Sequence, residues 1–459
     1  MPESKRTKLV ACILAAGMGT RMRSSMPKVL HTLAGKPLLE HLLDTVKQLG
    51  VHETHVVIGT QAEQIEQAFA HMDNLNWVCQ AEQLGTGHAV MQAMSTIADD
   101  ARVLILLGDA PLVSADTLER LAAADSDLAV LSVDVDDPSN YGRILRGADG
   151  HVERIVEERD ASEQEKQIRE INTGVMVASA TYLSRWLSEI DTNNDQKEYL
   201  LTDIVEVAAN DNKKVLAIKS SDPDEVKGIN NFSQLAYLER VLQRRQAEAL
   251  MAAGVKIMDP SRFDVRGELE AGHDVIIDVN NIFEGRNILG NKVTIGANCT
   301  IRDSRIGDNC IIKPNTIIEE SLVGNDCSVG PYARLRPGTE LAPEVAVGNF
   351  VEVKKSKIGQ GSKASHLAYL GDTTIGRGVN IGAGTITCNY DGVNKFETHI
   401  DDYVFVGSNT ALVAPVTIGE GATIGAGSTI TRNVDKGVLA IGRERQKTIE
   451  NWKKGPKAS

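Results

Sequence analysis

The sequence has few aromatic residues, no metal-ligand spacing among its cysteines and no apolar run long enough to cross a membrane. Aromatics make up 4 % of the 459 residues, whereas glycine is abundant at 40 residues. The six cysteines form no CxxC pair and no cluster with histidine, which argues against a zinc site and suits a reducing cytosol. Scarce aromatics beside abundant glycine favour a region of regular strands joined by tight turns.

Positively charged residues are fewer than negatively charged ones. The chain has 49 Lys and Arg against 62 Asp and Glu, and its net charge is −13. Such an acidic surface repels a phosphate backbone, so we expect no nucleic-acid partner. Residues 5–16 mimic a signal peptide, with basic residues before an apolar run. Cleavage there would cut into the glycine-rich segment 14–22, so we expect a cytoplasmic protein without membrane insertion.

The first half alternates short apolar runs with helical patterns. The predicted strands cover residues 8–14, 54–58, 103–107, 128–133 and 215–218. This alternation predicts a Rossmann-like α/β domain, with a mostly parallel sheet covered on both faces and ligands at the carboxyl ends of its strands. A charged stretch without Gly or Pro precedes Gly254 and predicts a long helix. We therefore predict one domain over 1–232, a linker helix over 233–253 and a second domain over 254–459.

The second half has a six-residue period. An aliphatic residue recurs at this spacing, usually followed by glycine, as at Ile418, Ile424 and Ile430. Three such units make one triangular coil, and stacked coils bury the aliphatic positions in a continuous core. The period therefore predicts a left-handed parallel β-helix.

Three further features of this half carry predictions. The repeat breaks over residues 388–399, which must loop outward either as a functional site or as a tolerated insertion. Residues 443–452 predict a C-terminal helix, followed by a polar tail. Cys310 and Cys327 lie seventeen residues apart, one coil with one five-residue unit, which predicts stacked thiols that stay reduced.

Glycine and basic residues follow the first predicted strand. The glycines of residues 14–22 lie at a strand-to-helix turn, where backbone N–H groups can hold phosphate, and Arg21 and Lys28 add positive charge. Neither the GxGxxG nor the Walker pattern is met, so a plain turn is the alternative. Asp109 follows another strand and can hold Mg²⁺ on a nucleotide, or serve only as a turn residue before proline.

Two cations of the second half are predicted to stack. Arg336 and Lys354 are eighteen residues apart, one full coil, which places them ~4.8 Å apart. Their charges would repel by ~3 kcal/mol at an effective dielectric of 20. The next stacked position is Gly371, which leaves room for a bound phosphate, unless both side chains extend into water. His366 lies one face earlier and could take a proton from an attacking amine, although a lone histidine is often structural.

The first 230 residues resemble the sugar-phosphate nucleotidyltransferases, most specifically in residues 14–22 and in Pro27-Lys28. With its hexad-patterned half, the whole chain resembles the bacterial bifunctional N-acetylglucosamine-1-phosphate uridyltransferases / glucosamine-1-phosphate acetyltransferases. The resemblance implies acetyl transfer from acetyl-CoA to glucosamine-1-phosphate. It then implies uridylyl transfer from UTP to N-acetylglucosamine-1-phosphate, with release of pyrophosphate. The product would be UDP-N-acetylglucosamine, a precursor of peptidoglycan and lipopolysaccharide.

The resemblance also implies one or two Mg²⁺ ions per nucleotidyltransferase site and a homotrimer with acetyltransferase sites between subunits. Asp109 and Asn230 would hold Mg²⁺, while Arg21 and Lys28 would stabilise the reacting phosphates. The remaining nucleotide and sugar contacts would be Leu14, Ala15, Ala16, Gly17, Gln80, Gly85, Thr86, Leu107, Gly108, Gly142, Glu157 and Asn172. Relatives often carry tyrosine at position 107, which leaves the contact there open.

In the acetyltransferase half, the resemblance makes His366 the general base and Glu352 the residue that orients it. The implied contacts to the sugar phosphate and acetyl-CoA are Arg336, Lys354, Tyr369, Asn380, Ala383, Asn389, Tyr390, Ser408, Ala426 and Arg443.

Two alternative functions remain open. One is a nucleotidyltransferase whose solenoid serves only assembly or regulation, as in ADP-glucose pyrophosphorylase-like enzymes. His366 and the 388–399 loop argue against it, because an assembly module needs neither. The other is a non-catalytic subunit of the same two-domain plan, as among translation initiation factor relatives. Lys28 and Asp109 argue against that reading.

Overall fold

The computed structural model describes residues 8–17, 19–453 and 455. Residues 5–7 of the signal-like stretch and Met18 of the glycine-rich segment therefore lie outside the described residues. The chain divides into two compact units, Met1–Leu242 and Gln243–Ser459. Across the described part of the chain, no helix is both long and apolar enough to cross a membrane.

The first unit is built on a nine-stranded sheet. The unit's strands are β1 (Leu9–Leu14), β2 (Thr32–Leu33), β3 (Lys36–Pro37), β4 (Glu53–Ile58), β5 (Leu75–Cys79), β6 (Arg102–Leu107), β7 (Leu128–Asp134), β8 (Arg143–Arg146), β9 (Val152–Val156), β10 (Glu170–Ser179) and β11 (Val215–Lys219). The helices are α1 (Leu38–Leu49), α2 (Ala62–Ala68), α3 (Thr86–Met94), α4 (Ala115–Ala122), α5 (Ala180–Leu187), α6 (Asp203–Asn210) and α7 (Phe232–Ala252). The division between the units falls inside α7, and the predicted boundaries at 232 and 254 stay predictions.

The sheet is mostly parallel, as predicted. Its order is β11-β7-β10-β6-β1-β4-β5, with β8 paired to β10 and β9 to β8, while β2 and β3 form a separate hairpin. Strand β10 alone in the main row runs antiparallel to both of its neighbours. Successive residues of β1 enter opposite clusters, Val10 and Cys12 on one face and Ala11 and Ile13 on the other. Burial on both faces explains why strands such as β1 and β6 read as unbroken apolar runs.

The second unit is the predicted three-sided solenoid of parallel strands. One face carries eleven strands: Lys256–Ile257, Ile276–Ile277, Thr294–Ile295, Ile311–Ile312, Ser328–Val329, Ala346–Asn349, Lys363–His366, Asn380–Ile381, Phe405–Val406, Thr423–Ile424 and Leu439–Ala440. The other two faces form one seventeen-stranded sheet: Phe263–Ala271, Asn281–Leu289, Thr300–Arg302, Arg305–Ile306, Ile317–Glu319, Ser321–Val323, Arg334–Leu335, Thr339–Leu341, Glu352–Lys354, Lys357–Ile358, Tyr369–Gly371, Thr373–Ile375, Ile386–Cys388, Thr398–Ile400, Ala411–Val413, Val416–Ile418 and Thr429–Ile430.

Stacked aliphatic side chains fill this solenoid. Ile295, Ile312, Val329 and Val347 pair in register on successive coils, and each is at most 1 % exposed. Cys310 and Cys327 stack in the same way, as the register of the adjoining strands shows, and both are free thiols.

The predicted C-terminal helix is wrong. Residues 443–452 contain only a bend and a turn, with no helix. Ile449 and Trp452 are 72 % and 69 % exposed, so the segment has no apolar face packed against the chain. Ten residues without such packing do not offset the cost of helix nucleation.

Candidate active sites

The carboxyl ends of β1 and β6 open onto a cavity of about 450 Å³ in the first unit. The predicted residues that line it are Leu14, Ala15, Ala16, Gly17, Lys28, Gln80, Gly85, Thr86, Leu107 and Asp109. Val29, Gln83, Ala89 and Glu198 line it as well and were not predicted. Gln83 reaches back across the cavity wall, where its Nε2 donates to the carbonyl of Ala16. That contact is between distant residues and leaves no pattern in the sequence.

Two predicted residues at the end of β6 are held in place by neighbouring strands. Gly108 does not line the cavity, but its N–H donates to the carbonyl of Leu14 at 2.9 Å and so ties the ends of β1 and β6 together. Leu107 packs on Gly174, where an added Cβ would lie 2.7 Å from the leucine side chain. Leu107 is therefore positioned by glycine on the antiparallel strand β10.

Four predicted residues meet at one edge of the cavity. The Lys28 ammonium donates to the Asp109 carboxylate and, at 2.8 Å, to Oδ1 of Asn230. Arg21 Nη2 donates to the same Asn230 oxygen at 2.7 Å. The N–H of Ile229 donates to the Asp109 carbonyl at 2.8 Å, which brings Asn230 to the end of β6. Residues separated by some 200 positions thus form one charged cluster.

The oxygens of this cluster suit a divalent cation. Asp109 and Asn230 both face the point where Lys28 places its ammonium, and carboxylate and amide oxygens are ligands that Mg²⁺ accepts. The described residues contain no group of three or more His, Cys, Asp or Glu side chains that could hold a metal ion. Mg²⁺ commonly completes such a sparse set with substrate phosphates and water. The residues therefore fit an ion brought in with a nucleotide once Lys28 moves aside.

The three predicted sugar contacts form a second cluster. The carbonyl of Gly142 accepts from the N–H of Asn172 at 2.8 Å, and an added Cβ on Gly142 would lie 3.3 Å from Glu157 Oε1. Thr202 Oγ1 donates to Glu157 at 3.2 Å. Burial raises the pKa of Glu157, and burial followed by repulsion from Glu157 raises the pKa of Asp203 to about 6. Sequence analysis missed Asp203, because a lone acid at a helix start looks like an ordinary first-turn residue.

This sugar cluster is joined to the nucleotide cavity by one segment. Glu198 lines the cavity, the N–H of Leu201 donates to Thr86 Oγ1 at 3.1 Å, and Thr202 contacts Glu157. A ligand that reaches from the nucleotide cavity to the cluster of Gly142, Glu157 and Asn172 would therefore lie along residues 198–202.

In the second unit, strand pairing brings four predicted residues, together with Asn349, which was not predicted, to one corner of the prism. Asn349, His366, Ala383, Ser408 and Ala426 occupy the same corner position on five successive coils. We call this set the corner column. Arg443 contacts the end of this column, because its Nη1 donates to the carbonyl of Ala426. Asn380 begins the strand that leads into Ala383.

His366 is held by Asn349 and not by Glu352. Nδ1 of His366 lies 2.8 Å from Oδ1 of Asn349, directly below it in the corner column. An amide oxygen only accepts, so Nδ1 carries the proton and Nε2 keeps a lone pair able to take one. The Glu352 carboxylate instead accepts from Arg336 Nη1 at 2.7 Å. The predicted contact between Glu352 and His366 is absent from the described residues, because Glu352 lies past the corner on the next face.

The predicted cationic stack is present. Leu335 pairs with Val353, which puts Arg336 directly beside Lys354, and Lys354 pairs with Gly371. The space beside Gly371 is not open, however. An added Cβ there would lie 2.5 Å from the Tyr369 hydroxyl, so the tyrosine ring covers the glycine. The carboxylate paired with Arg336 offsets part of the repulsion between the two cations.

The predicted loop leaves the solenoid between the strands Ile386–Cys388 and Thr398–Ile400. At its base, Asn389 is 8 % exposed and its amide donates to Asp372. Tyr390 is 59 % exposed at the start of the loop. Asn389 therefore anchors the base of the loop, and the exposed ring of Tyr390 beside it is available to contact a ligand.

Comparison with known proteins identifies both units. Residues 11–173 match the MobA-like NTP transferase domain, residues 265–359 the GMPPB C-terminal domain, and residues 397–432 the bacterial transferase hexapeptide (six repeats). The chain is 54 % identical to the bifunctional protein GlmU of Marinobacter nauticus over 448 residues, 97 % of this chain and 98 % of the relative. The chain belongs to the GlmU family.

A second GlmU, from Pseudoalteromonas atlantica, is also 54 % identical, over 447 residues that cover 97 % of this chain and 98 % of the relative. A solved structure of UDP-glucose pyrophosphorylase complexed with UDP-glucose covers 52 % of this chain and 99 % of its own, at 16 % identity and a TM-score of 0.43, which supports no inference. The GlmU matches span both units, so the predicted family is confirmed for the whole chain.

Proposed function

We propose that this GlmU protein carries out two consecutive steps of UDP-N-acetylglucosamine synthesis. The second unit transfers the acetyl group of acetyl-CoA to glucosamine-1-phosphate. The first unit transfers the uridylyl group of UTP to N-acetylglucosamine-1-phosphate and releases pyrophosphate. Identity of 54 % to GlmU over nearly the full chain carries this conclusion. The assembled residues of both sites support it over a nucleotidyltransferase with a purely structural solenoid.

In the uridylyl step, a phosphate oxygen of the sugar attacks the α-phosphorus of UTP, and the bond to pyrophosphate breaks with its electron pair leaving on pyrophosphate. This chemistry depends on positioning and charge neutralisation. Lys28 and Arg21 both donate to Asn230, and each can instead donate to phosphate oxygens when the nucleotide binds. We propose that Asp109 and Asn230 hold Mg²⁺, which would neutralise charge on the triphosphate. Gly142, Glu157 and Asn172 would bind the sugar.

In the acetyl step, Nε2 of His366 takes a proton as the amine of the sugar attacks the thioester carbonyl. The C–N bond forms, the C–S bond breaks, and the proton passes to the departing thiolate of coenzyme A. Arg336 and Lys354 form a paired cationic site suited to the sugar phosphate. The corner column offers the edge along which acetyl-CoA would lie.

We further propose a cytoplasmic homotrimer whose acetyltransferase sites lie between subunits. All six cysteines are free thiols, which suits a reducing compartment. Tyr332, Phe350 and Leu367 are 53 %, 55 % and 62 % exposed along the edge next to His366. Burial of these side chains against a neighbouring subunit would remove them from water. Sedimentation equilibrium should give three times the mass of the 49.5 kDa chain.

The decisive assay supplies the purified chain with glucosamine-1-phosphate, acetyl-CoA, UTP and Mg²⁺ and looks for UDP-N-acetylglucosamine. His366→Ala should stop acetylation but still convert supplied N-acetylglucosamine-1-phosphate. Asp109→Ala should stop pyrophosphate release but still acetylate, so each variant is the control for the other. Acetylation at the parent rate in His366→Ala would refute the second site.

A further inference from the structure

The side-chain amide of Gln80 is held on one side only. Gln80 follows β5, is 3 % exposed and lines the nucleotide cavity. Its Nε2 lies 3.1 Å from the carbonyl oxygen of Gly85 and 3.1 Å from Nδ1 of His88. Within the described residues Oε1 has no hydrogen-bond partner, so it is the polar atom of the amide left for a ligand.

The carbonyl of Gly85 determines which way this amide faces. A carbonyl only accepts, so the amide must turn its nitrogen toward Gly85. The second N–H then points at Nδ1 of His88, which must also accept. His88 therefore carries its proton on Nε2, which lies 3.0 Å from the amide nitrogen Nε2 of Gln92, one helical turn along α3. Two N–H groups cannot bond to each other, so the Gln92 amide must rotate to turn its oxygen toward the imidazole, and the Nε2–H then donates to that oxygen.

We propose that His88 is a positioning residue for base selection: it fixes the Gln80 amide so that only an acceptor oxygen faces the bound base. The inference rests on the proposed uridylyltransferase function. At ring nitrogen N3, uracil carries a hydrogen that can donate to this oxygen, whereas cytosine has a lone pair that repels it. The arrangement thus favours UTP over CTP without His88 touching the nucleotide.

Rotation of the amide would weaken this preference. In the parent chain, a rotated amide loses its bonds to both Gly85 and His88 and sets its oxygen against two acceptors. Without the imidazole, rotation loses only the bond to Gly85. Removal of one ordinary hydrogen bond should raise the rotated population by about three- to tenfold, and the selectivity should fall in proportion.

The test compares kcat/KM for UTP and for CTP in the full-length chain with N-acetylglucosamine-1-phosphate as acceptor. His88→Phe keeps a ring but removes the acceptor, and we expect its UTP/CTP ratio to fall by about three- to tenfold. His88→Asn returns an oxygen close to the position of Nδ1 and should restore the ratio to near the parent value. His52→Phe is the matched control, because this histidine is 51 % exposed and does not line the cavity.

Two results would overturn the inference. One is a His88→Phe enzyme that loses activity equally with both nucleotides, which would make His88 a structural residue only. The other is a His88→Asn enzyme as unselective as His88→Phe. A parent chain that does not use UTP at all would instead refute the proposed function, so the two failures are distinguishable.

Discussion

Replacement of Asp203 by asparagine should stabilise the protein at neutral pH and have little effect in acid. Asp203 begins α6 beside Glu157, and burial followed by repulsion from that carboxylate raises its pKa from 3.8 to about 6. The native state thus holds this proton more tightly than the unfolded chain, so native stability falls as the pH rises from about 4 to 6. Asparagine stays neutral and avoids that loss.

The difference between these two pKa values of Asp203 corresponds to ~3 kcal/mol in the free energy of unfolding. Asp203 is only half-buried, and water reaching its carboxyl reduces the expected gain to roughly 1–2 kcal/mol. For a unit of this size, such a gain raises Tm by about 3–6 °C. Thermal unfolding followed by circular dichroism from pH 4 to pH 8 should show the difference growing up to pH 6 and staying level above it.

Asp116→Asn provides the control for this measurement. Asp116 also lies in the first turn of a helix, α4, but its side chain is 86 % exposed. A loss of favourable charge at the helix N-terminus would affect both variants, whereas the burial effect is confined to Asp203. A Tm difference for Asp203→Asn that does not change with pH, or one matched by Asp116→Asn, would refute the reasoning.

Three further predictions concern the solenoid. Leu335→Ala removes a fully buried side chain and should cost about 2–5 kcal/mol in denaturant unfolding; Leu322→Ala, at a position 54 % exposed, should cost under about 0.5 kcal/mol. Gly371→Ala should displace the tyrosine ring that covers it and raise KM for glucosamine-1-phosphate, with uridylyl transfer unchanged in the same preparation. Asn349→Ala should free the imidazole above it and lower kcat of acetyl transfer by about tenfold; an unchanged kcat would contradict the proposed role of that amide.

Spacing alone predicted most of the solenoid. The six-residue period, with its occasional five-residue units, predicts which residues point inward. A separation of one coil predicts which residues stack, as Arg336 and Lys354 do. Spacing says nothing about side-chain torsions, however. That Glu352 turns to Arg336, and that a tyrosine ring covers Gly371, depends on rotamers chosen among close neighbours. The partner of His366 was missed for the same reason.

In the first unit, four of the five predicted strands are largely buried, and the fifth, β11, has only Val215 buried but carries an unbroken apolar run over residues 215–218. Strand β5 (Leu75–Cys79) was missed because Asn76 interrupts its apolar residues and leaves no long apolar run to detect. Strand β10 begins with Glu170 and passes through Asn172 and Thr173, so its first half reads as a polar loop. Of these residues, Asn172 belongs to the cluster with Gly142, whose carbonyl accepts from its N–H. The approach of Asn230 to Lys28 spans 202 residues and has no local signature.

The corner column also sets a rule for lengthening this protein. Its members lie 17 or 18 residues apart except between Ala383 and Ser408, where the chain needs 25 residues to reach the same corner. The additional residues form the loop of residues 389–397, and the coils beyond it keep the same register with the coils before it. A single residue inserted within a strand would instead turn every later inward side chain outward up to the next bend. Peptide tags or reporter domains should therefore be inserted into the solenoid at a bend, and the two ends of the insert should lie close together.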